Sequence, residues 1–195
     1  MIRWLSIFLM LLPFGCNNHA PLLMESKPYT EPATDQQKKR PRRGVLHTDP
    51  DRLQAFSQRA IPAVGTKSNT GEEHFKALLN DKEYYVLRQL GTERAFTGEY
   101  NDHKGDGTYH CRACNAPLYS SKTKFDSRTG WPSFYDAIPD RVATRPDKSH
   151  GMDRTEIICA HCESHLGHVF NDGPPPTGLR HCANSLSLVF QESSQ

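Results

Sequence analysis

Apolar positions fall into three regimes along the chain. Trp4 to Phe14 is an almost unbroken apolar run. Residues 17–70 show little periodic hydrophobicity and carry Pro21, Pro28, Pro32, Pro41, Pro50 and Pro62. From about residue 70 the pattern becomes structural. Phe75, Leu78 and Leu79 stand at i, i+3 and i+4, the stripe of an amphipathic helix. Thr70 or Asn69 serves as a cap, and Glu72 and Glu73 suit the positive end of a helix dipole. Asn80-Asp81 breaks the stripe, and 83–89 predicts a second short helix. Beyond Gly91, turn residues recur and separate short β-prone runs at 108–111, 117–119, 156–159, 168–170 and 185–190. No solenoid-type repeat is visible. The pattern predicts a mainly β, antiparallel domain with two or three short helices at its N-terminal side. A further short helix over 51–60 has no evident core partner.

Charge divides the chain at the same place. Residues 17–70 hold nine Lys and Arg against five Asp and Glu, while 71–195 hold fourteen against seventeen. The net charge of +2 therefore combines a basic arm with a mildly acidic domain. Neither part is extreme enough to imply nucleic-acid binding. Residues 17–70 read as a tether of weak local structure. Its basic cluster, 38–43, reads as a solvated linker, with attraction to anionic lipid as the alternative.

Residues 1–16 read as a targeting segment. Arg3 precedes an apolar run too short to span a bilayer. It ends at Phe14-Gly15-Cys16, which resembles the lipobox of bacterial lipoproteins except that Pro13 stands where leucine is usual. The expectation is export to the periplasm or cell envelope with lipid on Cys16. The alternatives are an ordinary secretory signal or an uncleaved N-terminal anchor.

The other cysteines form two further groups. Cys111/Cys114 and Cys159/Cys162 are two C-x-x-C knuckles, the donor set of a tetrahedral zinc site. A small, turn-rich β domain gains folding free energy from such a metal. Two disulfides or a redox pair are the competing uses. His161, inside the second knuckle, reads as a bystander. Cys182 has no C-x-x-C partner. On a strand, Arg180, Cys182 and Asn184 share one face, and nearby positive charge favours a thiolate. His165 and His168 suit acid–base work around a thiol. Trp131, between Gly130 and Pro132, is either a core anchor or an exposed platform.

Taken together, Gly91 to Tyr100, Gly130-Trp131-Pro132-Ser133-Phe134, both knuckles, His165 to Phe170 and Arg180 to Ser185 resemble the B-type methionine sulfoxide reductases. The resemblance covers about 71–191. It implies two antiparallel sheets, β-tent-like, with one structural zinc. It implies reduction of the R epimer of methionine sulfoxide in oxidised proteins or peptides, with Cys182 as nucleophile. A protonated His165 or His168 would help the oxygen leave, and Asp172 would steady the histidines. Trp131 would pack on the substrate methyl, and Arg180 and Asn184 would support the thiolate and polar contacts. A monomer is expected. Many members carry a recycling cysteine where this chain has Thr129, so the sulfenic acid is expected to be reduced by an external thiol or thioredoxin-like donor. His181 stands where the family usually has Tyr or Phe. Two rival classes are a zinc-ribbon binding module and a general thiol–disulfide oxidoreductase.

Overall fold

A computed structural model of the chain describes residues 49–193. The leader, Cys16 and the tether as far as residue 48 lie outside the described residues.

Local structure begins before the helical stripe. Helix α1, Pro50–Ser57, is capped by the Asp49 carboxylate, which accepts from Asp51 N at 3.0 Å. Pro50 occupies the first turn, where its missing N–H is no loss. The helix buries Phe56, and Arg52 pairs with Glu83 at 2.9 Å. Part of the segment read as a tether is therefore docked on the domain. Helix α2, Glu72–Leu78, is capped by Gly71 rather than Thr70 or Asn69. Helix α3, Asp81–Arg88, begins with a capping box. Asn80 Oδ1 accepts from Lys82 N and Glu83 N, both at 3.0 Å, and the Glu83 carboxylate accepts from Asn80 N at 3.0 Å. Thus Asn80-Asp81 both ends one helix and starts the next. Glu83 is fully buried and also meets Arg112 at 3.3 Å.

The strands form two antiparallel sheets. One has β1 (Gly107–Cys111) between β2 (Pro117–Ser120) and β9 (Leu188–Glu192). The other runs β3 (Lys124–Phe125), β4 (Ser133–Phe134), β8 (Arg180–Ala183), β7 (His165–Phe170), β6 (Arg154–Cys159) and β5 (Val142–Asp147). This is the mainly β architecture with short N-terminal helices that the pattern and the resemblance imply. Short strands β3 and β4, and the charged, proline-containing β5, carry little sequence signal. Residues 185–187 form a 3-10 turn before β9 rather than the start of a strand.

The core is built on aromatic side chains. Tyr119 stacks on Phe134 with ring centroids 4.3 Å apart, and Tyr109 meets Phe134 edge-on at 5.0 Å. Leu118, Leu166 and Leu188 fill around them, all fully buried. His181 belongs to this core. Its register partners are Val169 and Phe134, and its ring lies edge-on to Tyr119 at 5.7 Å with Nδ1 3.3 Å from the hydroxyl. It therefore faces away from the Cys182 side of β8.

Burial lowers the pKa of His181, only partly offset by Asp136. The unfolded chain then takes up the proton first as pH falls. The stability that depends on neutral His181 is complete above the ordinary histidine pKa of about 6.5 and is lost on acidification below it. His181→Phe removes that titration. In thermal melts between about pH 7.5 and about pH 5.5, the variant gains Tm relative to wild type as the pH falls. A Tm difference that stays constant over this range would contradict the assignment.

Candidate active site and metal centre

One row of register partners crosses the larger sheet. Arg145 on β5 pairs with Glu156 on β6, Glu156 with His168 on β7, His168 with Cys182 on β8, and Cys182 with Ser133 on β4. Directly opposed residues of antiparallel strands share a face, so these five side chains stand on one side of the sheet. His165 joins them through an irregularity. Ile157 pairs with Gly167 but Ile158 pairs with His165, which leaves Leu166 as an extra residue. Three positions would ordinarily place His165 and His168 on opposite faces. The bulge brings their rings to one side, with centroids 5.4 Å apart.

Each histidine is held by a carboxylate. His165 Nδ1 lies 2.7 Å from Glu156, and His168 Nε2 lies 2.7 Å from Asp147. An ionised carboxylate only accepts, so both ring nitrogens donate. Arg145 secures Glu156, and Arg154 secures Asp147 at 2.7 Å. Bonds from Ser149, then from His168, and the charge of Arg154 hold the Asp147 carboxyl well below its usual range. His165 is 2% exposed, and its Nε2 is buried with no protein partner. Burial lowers its pKa, against the pull of Glu156, so the ring rests neutral. This leaves a lone pair at Nε2 that can take a proton and pass it on.

Cys182 is half-buried. Burial raises its pKa, and the Arg180 guanidinium opposes that shift. Thr129 Oγ1 lies 4.0 Å from its Sγ. Thus Thr129, where the resemblance implies a recycling cysteine, places a hydroxyl beside Cys182. Arg180 is oriented by Asp172 through bonds of 2.8 and 2.9 Å and stacks over Phe170 at 4.4 Å. Asp172 accordingly acts on Arg180, and the histidines take Glu156 and Asp147 as their partners instead.

Trp131 and Asn184 are joined through Glu93. The Trp131 indole N–H donates to Glu93 O at 3.1 Å, and Glu93 N donates to Asn184 Oδ1 at 3.0 Å. Asn184 Nδ2 donates to Leu166 O at 3.2 Å. The Asn184 amide therefore braces the loop and the bulge, and both its polar atoms are used there. Glu93 accepts from Ser185 N at 2.6 Å and Leu186 N at 3.0 Å, and burial raises its pKa against those bonds. The sequence reading did not single out Glu93, Asp147 or Glu156. Their roles depend on register and loop contacts that spacing does not reveal.

The four knuckle cysteines converge, with all four sulfurs within 4.8 Å of one another. Cys111 and Cys162 are 3.7 Å apart, and Cys114 and Cys159 are 3.6 Å apart. A disulfide needs about 2.05 Å. A tetrahedron with Zn–S of about 2.3 Å has S···S edges of roughly 3.8 Å. The two knuckles fold alike. Cys111 N donates to Ala116 O and Asn115 N to Cys111 O; Cys159 N donates to Ser164 O and Glu163 N to Cys159 O. Asn115 and Glu163 both adopt positive φ, 64° and 59°. The donor set and its geometry fit a tetrahedral thiophilic metal.

The SelR domain family matches residues 79–192. The peptide methionine sulfoxide reductase MsrB of Thiobacillus denitrificans is 60% identical over 128 residues, spanning 65% of this chain and 97% of that protein. MsrB of Pseudomonas putida is 59% identical over 121 residues, spanning 61% and 90%. MsrB of Leptospira interrogans is 55% identical over 125 residues, spanning 64% and 95%. With the family match covering more than half of its length, this chain belongs to the SelR domain family, the family of the MsrB peptide methionine sulfoxide reductases.

Proposed function

We propose that the chain is a peptide-methionine (R)-S-oxide reductase that repairs oxidised proteins, with Cys182 as nucleophile. The observation that supports this most directly is the placement of Cys182 between His168 and Ser133 on one sheet face, with the buried, unpartnered Nε2 of His165 belonging to the same cluster. The Cys182 thiol gives its proton to a histidine of this pair, and its sulfur attacks the sulfoxide sulfur. The same proton passes to the sulfoxide oxygen, which transfers to Cys182. Methionine leaves and Cys182 becomes a sulfenic acid. No outside proton or electron is needed up to this point. Trp131, fixed through its indole N–H, offers an apolar face to the substrate methyl. Glu156 and Asp147 stabilise whichever imidazolium forms.

The metal of the four-cysteine clamp is proposed to be zinc in a structural role. Its chemistry is to join two distant knuckles and add folding free energy. The leader ending at Cys16 extends the proposal to an exported, envelope-anchored enzyme working on oxidised client proteins.

Return to the thiol requires a reductant. A small thiol or thioredoxin-like donor supplies two electrons, forms a disulfide of its own and releases the oxygen as water. With Thr129 beside Cys182 and the other described cysteines in the clamp, the sulfenic acid lacks a nearby internal partner.

Two measurements test this reading. Turnover of each epimer of methionine sulfoxide by the purified chain is expected on the R form only. Cys182→Ser should lower that turnover by at least about a thousandfold. Turnover confined to the S form, or retained in the serine variant, would overturn the assignment. Separately, one equivalent of substrate without reductant should leave Cys182 as a sulfenic acid, trapped by dimedone and seen by mass spectrometry. A Cys182 intramolecular disulfide as the main product would refute the external-donor step.

A further inference from the structure

The SelR match begins at residue 79, yet the chain upstream of it is in contact with the metal clamp. We propose that residues 59–68 form a strap across both cysteine knuckles, with Arg59 as its key, that retards loss of the metal. The proposal rests on the metal-binding reading of the four cysteines.

The first knuckle is held from both sides. The Arg59 guanidinium donates to the carbonyls of Arg112, at 3.2 Å, and of Ala113. These are the two residues between Cys111 and Cys114. In return, Asn115 Nδ2 donates to Arg59 O at 2.6 Å, and Asn115 is the positive-φ residue that closes this knuckle. The second knuckle is held by the far end of the same segment. Ser68 N donates to His161 O at 2.8 Å, and His161 Nδ1 donates to Thr66 O at 2.8 Å. His161, a bystander to ligation, is thus an attachment point. Between the two ends, Arg141 Nη1 donates to Pro62 O at 2.7 Å, while Arg141 O accepts from Ala160 N in the second knuckle.

Charge points the same way. Four thiolates around a divalent ion leave a net charge of about −2. Arg59 is half-buried beside the first knuckle, and Arg88 on α3 donates to Cys162 O at 3.0 Å. Arg59 therefore brings a positive charge from the strap, while on the domain side Arg88, which also pairs with Glu72, lies beside the second knuckle. Each lies where partial burial keeps its attraction from being fully screened. Phe56, buried at the end of α1, anchors the strap at its N-terminal side. Release of the metal requires one knuckle to peel away from the other. The strap is bonded to both, so peeling must break its contacts as well.

The test uses the full chain, loaded with zinc, with metal content measured per chain. Loss of zinc to excess chromophoric chelator is then timed for wild type, Arg59→Ala and Arg59→Lys. The expected result is one zinc per chain, about tenfold or faster release from Arg59→Ala as charge-assisted bonds are lost, and an intermediate rate for Arg59→Lys, which serves alone if the alanine variant does not fold. Equal rates for a folded variant and wild type would overturn the strap and leave the clamp standing. Wild type that takes up no zinc when it is offered would overturn the clamp, and the strap with it.

Discussion

The pairing of β7 with β8 is the constraint on which the site depends. It sets His168 opposite Cys182, and through β6 and β5 it aligns Glu156 and Arg145 in the same row. Close approach of the two strands is possible because residue 167 is glycine. Its φ is +154°, and a Cβ there would lie 2.0 Å from the Cys182 carbonyl oxygen. The adjoining bulge at Leu166 then turns His165 onto the face of His168. Asn184 bonds to the Leu166 carbonyl and fixes the bulge from β8's side. One local irregularity thus gathers a thiol and two imidazoles that the alternation of a regular strand would separate.

Buried charge ties this face to the rest of the molecule. Arg112 lies inside the first cysteine knuckle, yet it donates to Leu186 O at 3.0 Å and Leu188 O at 2.6 Å and meets Glu83 at the start of α3. Glu93 connects the loop before β1 to the turn after Cys182. Glu83 is held by two arginines, Arg52 and Arg112, so the buried carboxylate stays paired if either one is lost. The network therefore holds the metal centre, the helices and the Cys182 segment in one arrangement. The same logic explains the division of labour at the site. Carboxylates hold the histidines, and a separate carboxylate orients Arg180.

What the sequence made legible was local. The knuckles could be read because C-x-x-C spacing alone places two sulfurs in one turn, and the structure brings all four together. The helix at 72–78 followed from apolar spacing; the second, expected over 83–89, begins two residues earlier because Asn80, read only as a breaker, caps it. Cys182 stood out by its isolation. What could not be read was register. Glu156 and Asp147 are 9 and 21 residues from the histidines they hold, and nothing in spacing links them. Asp172 and Asn184 took their expected roles from the family resemblance, Asn184 also from strand alternation; in the structure Asp172 bonds Arg180, and Asn184 bonds the Glu93 and Leu166 backbone. The short helix expected over 51–60 is α1, Pro50–Ser57; what could not be read was its docking, because its single buried anchor, Phe56, sits in a polar, proline-rich stretch.

In the proposed mechanism, close packing of β7 on β8 brings Cys182 and the two histidines together. Gly167→Ala tests it most directly, with thermal stability and turnover of R-methionine sulfoxide measured on the same preparation. The expected variant still folds and keeps its clamp metal, with lowered Tm and turnover reduced by about a hundredfold or more, since misplacement of about 1 Å suffices for that loss. Unchanged turnover in the folded alanine variant would contradict it.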